Sequence, residues 1–75
     1  MELNDFIKVF ADQFDDTDIS EITPSCKFHD LDEWSSLIGM SIIAFVRTKY
    51  GKAISSAEIK SCETINDLFE LIKSK

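Results

Sequence analysis

Leu3, Phe6, Ile7, Phe10 and Phe14 recur in steps of three and four, so the first segment lays its apolar side chains along one stripe of a helix. A strand would alternate every second residue, and no stretch sustains that pattern. Ile42-Ile43 is β-branched but sits inside helical spacing. The chain is therefore expected to be all-α. Its 75 residues suit a single domain, 1–75, which buries somewhat more than about 60% of its unfolded surface. That supports one modest core and no deep active-site cleft. Apolar residues at 44% and charged residues at 29% give a globular rather than a disordered composition.

The expected boundaries follow from periodicity and punctuation. A first helix covers residues 2–14, after which Asp15, Asp16, Thr17 and Asp18 break the pattern. Pro24 marks a long connection reaching to about Trp34, with Ile19, Ile22, Phe28 and Leu31 as apolar anchors. A loop of that length is often functional. A second helix runs over 36–50, and Gly51 suits the left-handed position just past its end. A short third helix spans 56–61 behind Ser55 as N-cap. The last opens near Ile65 and covers 66–73, with Thr64 or Asn66 as cap. Together these make a small four-helix bundle with Phe6, Phe10, Ile43, Val46, Ile54, Leu68 and Ile72 in its core. On the second helix, Gly39, Ile42, Ile43, Val46 and Tyr50 form the inward face. Leu37, Met40, Ser41, Ala44, Arg47 and Thr48 share the adjacent one. Periodicity leaves open whether Leu37 and Met40 are buried.

The net charge of −6 argues against nucleic acid and anionic membranes as partners, because both attract basic surfaces. No apolar run approaches the roughly 20 residues of a membrane span, and Met1 to Asp5 lack the signature of a signal peptide. A cytoplasmic location is expected. Cys26 and Cys62 read as reduced, small apolar residues rather than a disulfide framework. The charge is uneven: Met1 to Ser35 hold ten acids and two bases, whereas Ser36 to Lys52 hold Arg47, Lys49, Lys52 and no acid.

Enzyme chemistry has little to work with. His29 is the lone histidine and reads as an ordinary loop residue, since a general base needs a positioned substrate. Gly39 and Gly51 cannot form a phosphate-cradling loop. Asp30, Asp32 and Glu33 read as a solvated loop end, because a hard cation wants six or more oxygens in fixed geometry. No metal and no catalysis are expected.

The informative segment is Asp30-Leu31-Asp32-Glu33-Trp34-Ser35-Ser36-Leu37, where a serine pair opens an apolar helix directly after an acidic loop. One reading is structural: serine is a favoured N-cap. The other is chemical: a hydroxyl at a helix N-terminus is well placed to carry a phosphate, because free N–H groups and the macrodipole favour negative charge there.

Along nearly its whole length the chain resembles the acyl carrier protein family. Ser35-Ser36-Leu37 occupies the position of that family's Asp-Ser-Leu motif at the start of helix 2. Phe28 and Asp30-Leu31 resemble the apolar-x-Asp-Leu lead-in. Tyr50-Gly51, Ile54-Ser55 and Thr64-Ile65-Asn66-Asp67-Leu68 resemble the elements that follow helix 2. The resemblance implies a carrier, not an enzyme. A phosphopantetheinyl transferase would move 4'-phosphopantetheine from coenzyme A onto Ser36, and the arm's thiol would hold acyl groups as thioesters. Acyl-loading and acyl-transferring enzymes would then meet a monomeric carrier, chiefly through helix 2 and the loop before it. Trp34 is similar to what stand-alone carriers dedicated to one pathway show, D-alanyl carriers among them, more than to the general carrier of fatty acid biosynthesis.

The chain departs from the family at two places. Ser35 replaces the family's aspartate, which keeps a capping group but removes a charge that transferases recognise. The exposed face of helix 2, typically acidic in fatty-acid carriers, has no acid here. Leu37, Met40 and Ala44 would supply apolar contact to a partner, and Arg47 would pair with an acid. The missing aspartate also motivates a rival reading, an interaction module that keeps the carrier fold without the arm.

Overall fold

In the computed structural model, which describes residues 2–75, the described residues form four α-helices and no strand. They are α1 (Leu3–Asp12), α2 (Ser36–Tyr50), α3 (Ser56–Ser61) and α4 (Ile65–Lys73). α1 packs against α4, and α2 against α3. The periodicity of α1 explains its place: Phe6 and Phe10 are fully buried and Phe14 nearly so. Phe6 touches rings on three elements, with centroids 5.9 Å from Phe10, 5.8 Å from Phe45, 6.3 Å from Tyr50 and 5.7 Å from Phe69. The aromatic column continues from Phe10 to Phe28 (5.7 Å) and from Phe28 to Trp34 (5.0 Å), so it links the α1–α4 core to the start of α2.

α1 is shorter than the expected 2–14. Phe14 keeps its buried position, but its N–H bonds to Ala11 in a tightened last turn. The next three amides then leave the helix, because the Glu33 carboxylate captures them. The N–H groups of Asp15, Asp16 and Thr17 donate to it at 2.7, 3.0 and 2.9 Å.

The connection to α2 carries two 3-10 turns, Ile19–Glu21 and Phe28–Asp30. Ile22 and Phe28 anchor it in the core, and Leu31 is half-buried. Ile19 does not anchor it: the side chain is 56% exposed. The loop instead holds itself to α4, where the Ile65 and Asn66 N–H groups, orphans of the first helical turn, donate to the carbonyls of Cys26 and Pro24.

The remaining ends are set locally. Ser35 caps α2 and Ser55 caps α3, each accepting from the amide three residues on. Thr64, not Asn66, caps α4, which opens at Ile65 and runs to Lys73. Glu58 and Asp67 close capping boxes. Val46, Ile54, Leu68 and Ile72 are buried as expected. Ile43 is only half-buried, because it looks into a groove between α2 and α3 rather than into the core.

Gly51 ends α2 at φ +66, and its N–H returns to Arg47. An added Cβ would meet nothing within 4 Å, so Gly51→Ala should suffer only the left-handed backbone penalty of about 1–2 kcal/mol. Gly51→Asn should recover part of that. Urea titration of the three proteins checks the order, and an alanine variant as stable as the parent would refute it.

Candidate functional site

α2 begins where four pieces of chain converge. Ser35 is extended (φ −153, ψ 167) and its Oγ accepts from the Ile38 N–H at 3.3 Å. Its carbonyl accepts from Gly39. Ser36 is the first helical residue; its side chain is exposed, and its hydroxyl makes no hydrogen bond among the described residues. One serine is engaged in the cap, and the next is exposed with its hydroxyl unengaged among the described residues.

An open groove of about 510 Å³ lies beside Ser36, between α2 and α3. The figure falls inside the usual range of small-molecule sites, about 300–1,000 Å³. Trp34, Met40, Ile43 and Ile59 give it an apolar lining, with Ser36, Ser56, His29 and Lys60 among the polar groups around them. Trp34 lies over Gly39. A Cβ there would meet the indole at 3.7 Å, so an alanine fits but a longer side chain would displace the ring. His29 is half-buried rather than an ordinary loop residue. Its ring centroid lies 4.3 Å from Phe28 and 5.1 Å from Trp34, and its Nε2 is 3.1 Å from the Ile59 carbonyl oxygen. It ties the loop before α2 to α3.

Of the predicted site residues, Ser36 and Met40 meet in this groove. Leu37 and Met40 are 73% and 66% exposed, which settles the question left open by periodicity. Ala44 and Arg47 are exposed on the next turns. Ala44 borders a second, shallower groove toward α1, with Gln13, Phe45 and Lys49. Sequence reasoning missed His29, Gly39, Ile43, Ser56, Ile59 and Lys60 as groove residues. Only Gly39 carried a signal, since a glycine inside a helix often marks a close approach.

The loop entering the site is held by Glu33. Besides the three amides, its carboxylate accepts from the Thr17 hydroxyl at 2.7 Å. The Thr17 bond, the largest effect, holds the Glu33 carboxyl below the usual glutamate range; burial, next in size, opposes it, and the three backbone bonds add to the lowering. A folded-state pKa below the unfolded value adds stability that is present above the ordinary glutamate value and lost as pH falls through the folded one. Glu33→Gln should therefore be less stable than the parent at neutral pH, because one amide oxygen replaces two acceptors and the NH₂ faces donors. The gap should narrow as pH falls below the ordinary glutamate value and the parent's carboxyl also protonates. A gap independent of pH in urea titrations would show that the carboxylate charge is not what locks the loop.

The acidic concavity beside it, of about 390 Å³ and lined by Asp16, Thr17, Glu21, Leu31, Asp32 and Glu33, has its best-placed carboxylate already saturated. Among the described residues no group of three or more His, Cys, Asp or Glu side chains could hold a metal ion. Both cysteines are free, and burial raises both thiol pKa values. No described helix is long and apolar enough to cross a membrane. No family model, curated protein or solved structure matches the chain.

Proposed function

We propose that this chain is an acyl carrier protein whose Ser36 bears 4'-phosphopantetheine. The observation that carries the reading is the division of labour between the two serines: Ser35 is spent on the cap, and Ser36 is exposed at the mouth of an apolar groove. The residues present fit the group. A phosphodiester on Ser36 would lie at the N-terminus of a 15-residue helix, where first-turn N–H groups and the dipole favour negative charge. Trp34, Met40, Ile43 and Ile59 would cover the body of the arm, and the rim of Ser56 and Lys60 would meet its polar groups. When attached, the arm supplies a thiol that holds acyl groups as thioesters. The protein's own residues do no bond-making after that; they present cargo. We read it as a monomer working in the cytoplasm, whose reducing conditions suit two free thiols. Its partners are a phosphopantetheinyl transferase and enzymes that load and unload acyl groups.

The rival is an arm-free interaction module, favoured by the serine in place of a carboxylate at position 35. Intact-mass measurement separates the two. Incubation with coenzyme A, magnesium and a transferase from the native host should add one phosphopantetheine. An unchanged mass would favour the module.

A further inference from the structure

We propose that Glu33 is a positioning residue for the Ser36 site: by fastening the turn before α2 to the end of α1, it holds the Trp34 indole as a wall of the groove beside Ser36. The Trp34 N–H donates to the Leu31 carbonyl at 3.0 Å, which closes a turn with Asp32 and Glu33 at its centre. From that corner the Glu33 carboxylate accepts from the N–H groups of Asp15, Asp16 and Thr17 and from the Thr17 hydroxyl, with both oxygens engaged. Every side-chain-mediated hydrogen bond that residues 15–17 make among the described residues ends on this one carboxylate. Charge balance does not explain its place. Asp16, Glu21 and Asp32 line the same concavity and no base does, and like charges disfavour a carboxylate there. Four donors on one acceptor offset that repulsion, which marks a fastening rather than a solvated acid.

What the fastening aims is Trp34. Its ring is held by packing, with centroids 5.0 Å from Phe28 and 5.1 Å from His29, and it lies where a Cβ on Gly39 would come within 3.7 Å. Apolar contact is non-directional, so the way the ring faces depends on the backbone that delivers it, and Glu33 is the residue before. Trp34 and Gly39 both line the groove with Ser36, whereas Glu33 does not. The effect of the carboxylate on the site therefore runs through the indole. A turn released from α1 would let the ring leave Gly39, widen the groove and change the surface around the Ser36 hydroxyl. Group transfer is sensitive to such shifts, since a misplacement of about 1 Å can cost about 100-fold in rate.

The inference deepens the carrier reading and rests on it for the attachment measurement alone; the optical measurement stands without it. Trp34 is the sole tryptophan, so its emission maximum and its quenching by acrylamide report the groove wall directly. Both are read on the whole chain, at temperatures where circular dichroism shows each variant folded. Glu33→Gln and Thr17→Val should each red-shift the emission and raise the quenching. The double variant should add little to Glu33→Gln, because both substitutions break one fastening. Asp32→Asn, which removes a neighbouring charge from the same concavity, should leave emission and attachment as in the parent. With coenzyme A, magnesium and the host transferase, kcat/KM for modification should fall on the order of tenfold in Glu33→Gln, and less in Thr17→Val. If Glu33→Gln does not fold, Thr17→Val carries the same test. Unchanged Trp34 emission and quenching, additive effects in the double variant, or modification at the parental rate despite a moved ring would each overturn the inference. A parent that gains no phosphopantetheine would sink the carrier reading, and the emission of the variants would still decide whether Glu33 places Trp34.

Discussion

Ser36→Ala is expected to abolish phosphopantetheine attachment while leaving the fold intact. Both adjacent residues are hydroxyls, so residue type cannot decide which one is modified, but their surroundings differ. The Ser35 Oγ accepts the Ile38 N–H and sits at an extended residue, whereas the Ser36 side chain is exposed on the first helical residue with no bond to hold it. An incoming electrophile can reach the second without unmaking the cap. Removing the Ser36 hydroxyl costs no hydrogen bond among the described residues, so the variant should melt within about 0.5 kcal/mol of the parent. Ser35→Ala should behave the opposite way, keeping attachment and losing about 1 kcal/mol with the cap. Ser35→Asp should keep the cap and speed modification by a broad-specificity transferase, because it restores the charge that the family motif has there. Intact mass and urea titration on the same three variants give both readouts. Attachment that persists in Ser36→Ala would move the arm to another hydroxyl and remove the basis of the carrier assignment to this residue.

That division was legible only in part before the structure. Ser35, Gly51, Ser55 and Thr64 act within one turn of where they stand, so both ends of α2 and the starts of α3 and α4 follow from local chemistry. The end of α1 does not. Its apolar spacing runs on through Phe14, and Phe14 is indeed buried, yet the backbone has already left the helix because Glu33 claims the following amides from 16 to 18 residues away. A side-chain pattern reports burial, and it reports helix only while no distant acceptor competes for the N–H groups. The groove was invisible for a similar reason. Its walls come from the Phe28–Asp30 turn, Trp34, α2 and α3, and no periodicity within one element brings those together. Ile43 shows the consequence: its place on the inward arc of α2 is right, but the arc there borders a groove, so the residue is half-buried. Leu37 and Met40 show the converse, since hydrophobicity alone could not say that α2 leaves them to solvent.

Phe6→Ala should come close to unfolding the protein. A chain of 75 residues at roughly 0.05–0.15 kcal/mol per residue has about 4–11 kcal/mol of stability in total. Phe6 is fully buried and its ring meets Phe10, Phe45, Tyr50 and Phe69, so truncation removes contact with α2 and α4 as well as within α1. Large-to-small changes of this kind cost about 3–5 kcal/mol, and the surrounding rings are too constrained by one another to collapse into the space. At about 4–8 °C per kcal/mol for a domain of this size, the melting midpoint should fall by roughly 12–40 °C. Phe6→Leu, which keeps most of the volume, should lose far less, and Leu37→Ala on the exposed face of α2 should stay within about 0.5 kcal/mol of the parent. Thermal melts followed by circular dichroism rank the three. A Phe6→Ala loss under about 1 kcal/mol would mean that the aromatic column does not hold α1 and α4 against α2, and with it would go the rigid floor on which the Ser36 end of α2 rests.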